Sequence, residues 1–232
     1  MKRFYERTGT RPEGEGWTVT LDGKPIRTPG KRPLVVPTAA LAEAISAEWA
    51  AQDETVEPAA MPLTQVANTA IDRVHPQRTA IAADAAAYAE TDLLCHRADT
   101  PEDLVARQAE LWQPLLDWAG ETLGAALVVT RGLLPVPQPQ AALDAVRAEV
   151  DALDPWRLTA VRMITGQSGS ILVALAVDRG RIDAAAADAV AHVDDDYQAG
   201  RWGRDAQAEA RRRIVAADIA TAARFAELAR SE

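Results

Sequence analysis

The spacing of apolar side chains changes period once along this chain, separating a β-rich beginning from a helical remainder. Within Gly16 to Pro29, Val19 and Leu21 alternate with Thr18, Thr20 and Asp22, the period of a half-buried strand. Asp22-Gly23 is the dipeptide that tight two-residue turns prefer, so the strand is expected to reverse there. The return from Lys24 to Pro29 carries prolines, which lack an amide donor and suit an edge strand. Residues 4–36 therefore read as short strands punctuated by Gly and Pro, ending with Leu34-Val35-Val36.

From Thr38 the period is helical. Leu41, Ile45 and Trp49 fall at i, i+4 and i+8, with Thr38 as N-cap, and the stripe predicts that Trp49 is buried with the other two. A Pro-containing crossing, Glu57 to Pro62, leads to a helical segment from Leu63 to Arg73; Pro76 ends it, and an Ala-rich helix follows to about Glu90. Thr91 to Arg97 and Ala126 to Thr130 read as strands. Thr100-Pro101-Glu102-Asp103 reads as a helix start, with a capping hydroxyl, proline at the first helical position and acids near the positive end of the dipole. That helix is expected to kink at Pro114 and end near Gly124. Leu133 to Pro139 contains three prolines and is the best domain boundary, after which helices start at Pro139, Asp154, Gly169, Asp183 and about Arg204. The expected fold class is α+β: an N-terminal α+β domain over residues 1–134, with a small β-rich element and packed helices, then an all-helical bundle over 135–232.

Composition narrows the function classes. At 232 residues and 48% apolar content the chain has ample material for a buried core. Its net charge is −9, but residues 1–33 hold eight Lys/Arg against four Asp/Glu, leaving +4 there and −13 elsewhere. A net acidic chain with scattered Arg is poorly suited to nucleic acid. Cys95 is the single cysteine, so neither an intrachain disulfide nor a cysteine zinc site is possible, and its apolar neighbours Leu93 and Leu94 mark it as a buried small hydrophobe. The longest apolar run, Ile171 to Val177, is far too short to cross a bilayer. Met1-Lys2-Arg3 leads into Phe4-Tyr5-Glu6 rather than a signal core, so a soluble cytoplasmic protein without membrane insertion is expected. Only 3 of the 25 basic residues are lysine, a bias that hints at a bacterial source.

Several clusters invite a chemical reading. Gly166-Gln167-Ser168-Gly169-Ser170 approaches the Gly-x-Ser-x-Gly elbow of hydrolases but has Ser170 where the second glycine belongs, and a helix precedes it. Small residues there instead open a helix that is apolar all round. Asp188 and His192 stand four apart with Asp195 and Asp196 a turn further, a face able to gather a metal and the basis of an alternative reading as a metal-assisted hydrolase. Against it, Val190, Val193 and Tyr197 mark the opposite face as buried, and an acidic outer stripe is ordinary for a solvated helix. No Gly-rich phosphate loop with Lys-Ser/Thr occurs, so nucleotide hydrolysis lacks sequence support. Met61-Pro62-Leu63 reads either as an exposed apolar tip or as a packed loop, and Trp202-Gly203 lies at a helix break, where partner surfaces commonly occur.

The hairpin GWTVTLDGKPIRTP is followed, in one order, by EWAAQ (Glu48 to Gln52), VEPAAMPLT (Val56 to Thr64), DLLCHR (Asp92 to Arg97), GSILVALA (Gly169 to Ala176) and WGRDAQAE (Trp202 to Glu209). Together these resemble the family of assembly chaperones for the alpha subunit of the F-type ATP synthase catalytic head, over about Phe4 to Phe225. The resemblance implies a non-enzymatic protein of a family found in mitochondria and some bacteria. With neither phosphate loop nor dense ligand set in the sequence, no cofactor or metal is expected, and the protein is expected to be a bacterial monomer. It would hold the unassembled alpha subunit against aggregation until a beta subunit takes its place. Several acids follow the Trp-Gly pair in that family; here Asp205 and Glu209 keep the acidic character while Arg204 and Gln207 depart from it. The resemblance thus assigns the client contact to Trp202, Asp205, Gln207 and Glu209.

Overall fold

Strand β1 (Thr8–Glu13) pairs antiparallel along the full length of β2 (Gly16–Leu21), from Thr8 opposite Leu21 to Glu13 opposite Gly16. The other edge of β2 is shared by β3 (Lys24–Pro25), opposite Thr20 and Leu21, and β4 (Val35–Val36), opposite Trp17 and Thr18. The computed structural model describes residues 1–131, 136–203 and 205–230. Asp22 and Gly23 both adopt positive φ, 49° and 79°, as the expected turn requires. Asp22 accepts the backbone N–H groups of Glu6 and Arg7 on its carboxylate, which offsets the strain of a non-glycine residue there. One expectation changes: β2 is buried on both faces, because it is the central strand. Thr18 and Thr20 are buried as well as Val19 and Leu21, and the Thr18 hydroxyl donates to the Leu34 carbonyl at 2.7 Å.

Helix α1 (Ala39–Ala50) starts at Thr38, whose hydroxyl accepts the Leu41 N–H, and it buries Leu41 and Ile45 against β1 and β2. Trp49 is only half-buried, since it lies in the last turn, where it meets Tyr5 edge to face at 5.7 Å. The preceding residue matters more for the fold. Glu48 accepts the N–H groups of Leu63 and Thr64 at 2.7 and 2.8 Å and the Thr64 hydroxyl at 2.7 Å. A carboxylate from a distant helix thereby caps α2 (Pro62–Thr69), which has no cap of its own. Gln52 continues the join by accepting the Glu57 N–H. Glu48→Ala leaves those amides without a partner and is expected to lower stability by about 2 kcal/mol in urea unfolding, with Glu48→Gln retaining roughly half. Met61 is 4% exposed and clusters with Tyr5, Leu21 and Val56, so its loop is packed rather than an exposed tip.

The chain forms two compact units, one from Met1–Arg78, Asp154–Ala160 and Arg224–Glu232, the other from Thr79–Leu153 and Val161–Ala223. The boundary expected after residue 134 falls within 132–135, outside the described residues. After α3 (Arg78–Ala87) comes a short 3-10 turn over Tyr88–Thr91, and the DLLC segment forms a second, Leu93–Cys95, instead of a strand. Its turn conformation follows from Asp92, whose carboxylate caps the Leu94 N–H. Only His96–Arg97 (β5) extends, pairing in parallel with Thr130–Arg131 (β6). Between them α4 (Glu102–Trp118) runs through Pro114 and ends, after a wide turn, at Gly124 with φ 70°. Its N-cap is Pro101, not Thr100, with extended backbone at φ −78° and ψ 163°.

The second half is helical, so the α+β class holds. Helices α5 (Gln140–Asp151), α6 (Pro155–Ser168), α7 (Ile171–Asp178), α8 (Ala184–Ala191) and α10 (Ala206–Ala229) begin close to the expected points, whereas α9 (Val193–Trp202) starts where no new helix is expected from the sequence. All eight residues of α7 are buried, with the Ser170 hydroxyl capping Val173. Ser168 is buried in the last turn of α6 and donates to the Ile164 carbonyl, which rules it out as an exposed elbow nucleophile. Cys95 is 1% exposed, and burial pushes its thiol up to about 12, so it is inert at neutral pH. Among the described residues no helix is long and apolar enough to cross a membrane.

Candidate functional site

The segment from Asp183 to Trp202 has no Gly or Pro before Gly200 and reads as one helix, yet it is two. His192 leaves helical geometry at φ −112° and ψ 22°, and α9 starts anew. The His192 ring folds back on the preceding turn, with Nδ1 2.9 Å from the Asp188 carboxylate and 3.0 Å from the Asp188 carbonyl. Arg212 of α10 then bridges the two helices, pairing with Asp196 and reaching Asp188 at 3.4 Å. The metal reading gains no support from this arrangement. The Asp188 and Asp196 carboxylates are already held by a guanidinium, and among the described residues no group of His, Cys, Asp and Glu is arranged to hold an ion.

Helix α9 presents little apolar surface to the core, and Val193 is its one fully buried residue. Polar contacts from α4 hold this stretch instead. Trp112 donates its indole N–H to the Val190 carbonyl at 2.9 Å, and Gln108 donates to Asp194 at 2.7 Å. Asp103 accepts the Tyr197 hydroxyl at 2.7 Å and the Arg201 guanidinium at 2.9 Å, contacts that keep its carboxyl below the usual carboxylate range, the Tyr197 bond foremost. The sequence marks Asp103 only as part of a helix start and Tyr197 only as part of a buried face; the bonds themselves are not legible there because each spans 78 to 98 positions.

Gly203, at φ 91°, ends α9 in a conformation that side chains resist. Beyond it Asp205 caps α10 by accepting the Ala208 N–H at 2.8 Å. The two helices enclose an open cleft of about 460 Å³, lined among others by Asp195, Trp202, Asp205, Glu209, Arg211 and Arg212. Trp202 stands at this cleft with 77% of its surface exposed, the most of any large hydrophobic side chain among the described residues. Of the sequence-assigned residues, Trp202, Asp205 and Glu209 come together there; Gln207 is exposed on α10 but is not part of the lining, and Arg204 lies outside the described residues.

A model of the ATP12 chaperone protein family matches residues 2–120, half of the chain. The chain belongs to the ATP12 chaperone family. Likeness to solved members of the ATP12 family extends over the rest of the chain, the cleft included. Atp12 from Paracoccus denitrificans is 50% identical, with 99% of this chain and 98% of that one covered at a TM-score of 0.96. A protein of Agrobacterium tumefaciens described as a chaperone is 40% identical over 97% of this chain and 85% of its own, with a TM-score of 0.93. The mitochondrial atp12 protein of Schizosaccharomyces pombe is 25% identical over 215 residues, 88% of this chain and 74% of the relative. The family read from the six sequence segments is thus the one found, and the hydrolase alternative has no support from it.

Proposed function

We propose that this chain is a bacterial, cytoplasmic assembly chaperone for the catalytic head of the F-type ATP synthase, and that its client is the unassembled alpha subunit. On this reading Trp202, with Asp205, Gln207 and Glu209 beside it, forms the client contact. The observation that carries it is the exposed indole of Trp202 above a charged cleft: a large aromatic left in water is a ready anchor for a partner's apolar surface. Burying such a group on the client covers interface area that would otherwise aggregate, and a beta subunit with a larger complementary interface displaces it by competition, without ATP.

The test is light scattering of a refolding alpha subunit. Trp202→Ala is expected to weaken protection about tenfold or more, as for a central aromatic anchor, with unchanged unfolding curves. Glu209→Lys combined with Asp205→Asn, which retains the cap of α10, is expected to weaken it less and to lose its effect as salt is raised. A refolding beta subunit should gain no protection. If Trp202→Ala protects alpha as well as the parent does, the client contact lies elsewhere.

A further inference from the structure

We infer that Asp103, at the start of α4, is a positioning residue for the client contact: it latches the last turn of α9 and so fixes where Trp202 stands. The inference rests on the proposed role of Trp202. Its geometric basis is separate. Tyr197 and Arg201 lie one turn apart on α9 and converge on the two oxygens of the same carboxylate, at 2.7 and 2.9 Å. Arg201 also lies over the Tyr197 ring at 5.0 Å, so the three groups brace one another. Trp202 follows Arg201 directly, and Gly203 then breaks the helix. With Val193 as the one buried residue at the far end of α9, the Trp202 end has no apolar anchor in α9 itself and depends on the Asp103 latch.

A presented anchor binds better than a mobile one, because its ordering is settled before the client arrives. The latch is exposed and ionic, so its loss should loosen α9 without unfolding the protein. Asp103→Ala is expected to leave the thermal midpoint within about 2 °C, to speed amide exchange over residues 195–202 about fivefold or more, and to reduce protection of refolding alpha subunit about fivefold. Asp103→Glu, which keeps the carboxylate, should recover most of both. A residue acting through Trp202 should add nothing once Trp202 is gone, so Asp103→Ala with Trp202→Ala should match Trp202→Ala alone. Full protection by Asp103→Ala, beside lost protection by Trp202→Ala, overturns the latch and leaves the client site standing. Full protection by Trp202→Ala overturns the client site itself.

Discussion

Replacing Asp92 with alanine is expected to destabilise the protein by about 4 kcal/mol, enough to remove a large part of the stability of an ordinary domain. Asp92 is 0% exposed, and its carboxylate accepts the Leu94 N–H at 3.0 Å and the Leu172 N–H at 3.2 Å, with further bonds from Ser170 and Ile171. It therefore caps both the turn that follows it and the first turn of the buried helix α7. Alanine leaves several N–H groups in the interior with no acceptor and no water, at about 1–3 kcal/mol for each. Asparagine keeps the volume and one acceptor but turns an amide donor toward N–H donors, so roughly half the loss should remain. Urea midpoints of the three proteins at one pH decide this; an alanine variant within about 1 kcal/mol of the parent would show that the site rearranges freely.

The same carboxyl carries a pH signature. Burial outweighs the donors around it and pushes Asp92 up to about 6, from an ordinary value of 3.8. Between those values the folded state binds the proton more tightly than the unfolded chain does. Its contribution to stability is fully present below about pH 4, falls as pH rises toward 6, and is level above that. The shift of about two units corresponds to roughly 3 kcal/mol. Asp92→Asn should lose this component of the slope while the rest of the profile is retained.

The segments that made the family legible turn out to be mostly joints of the fold. Glu48 in EWAAQ caps the helix that begins in VEPAAMPLT, and Gln52 binds Glu57 in the same pair of segments. Asp92 in DLLCHR caps the helix of GSILVALA, 80 residues away. Local pattern could place those helices, since Thr38, Ser170 and Asp183 cap their own chains. It could not show which carboxylate serves which distant amide. Local spacing also misled at Asp188 and His192, which look like ligands four apart until Arg212 is seen between the helices. WGRDAQAE differs from the other segments in that its Trp202 is exposed. The proposed client contact rests on that contrast.

Trp112→Ala should give a loss of similar size, about 3–5 kcal/mol, for a different physical reason. The indole is 1% exposed, and its removal leaves a cavity in the interior of the second unit. It also deprives the Val190 carbonyl of its 2.9 Å partner and the Arg97 guanidinium of the ring it covers at 5.3 Å. Trp112→Phe retains most of the ring volume but loses the N–H, and the loss should fall to about 1–2 kcal/mol. The two variants divide packing from hydrogen bonding at the point where α8 ends, directly ahead of His192 and α9. If the Val190 carbonyl fixes the direction of that break, Trp112→Phe should also speed amide exchange in α9 more than in α7. Equal exchange in both helices would mean that packing alone carries the role of Trp112.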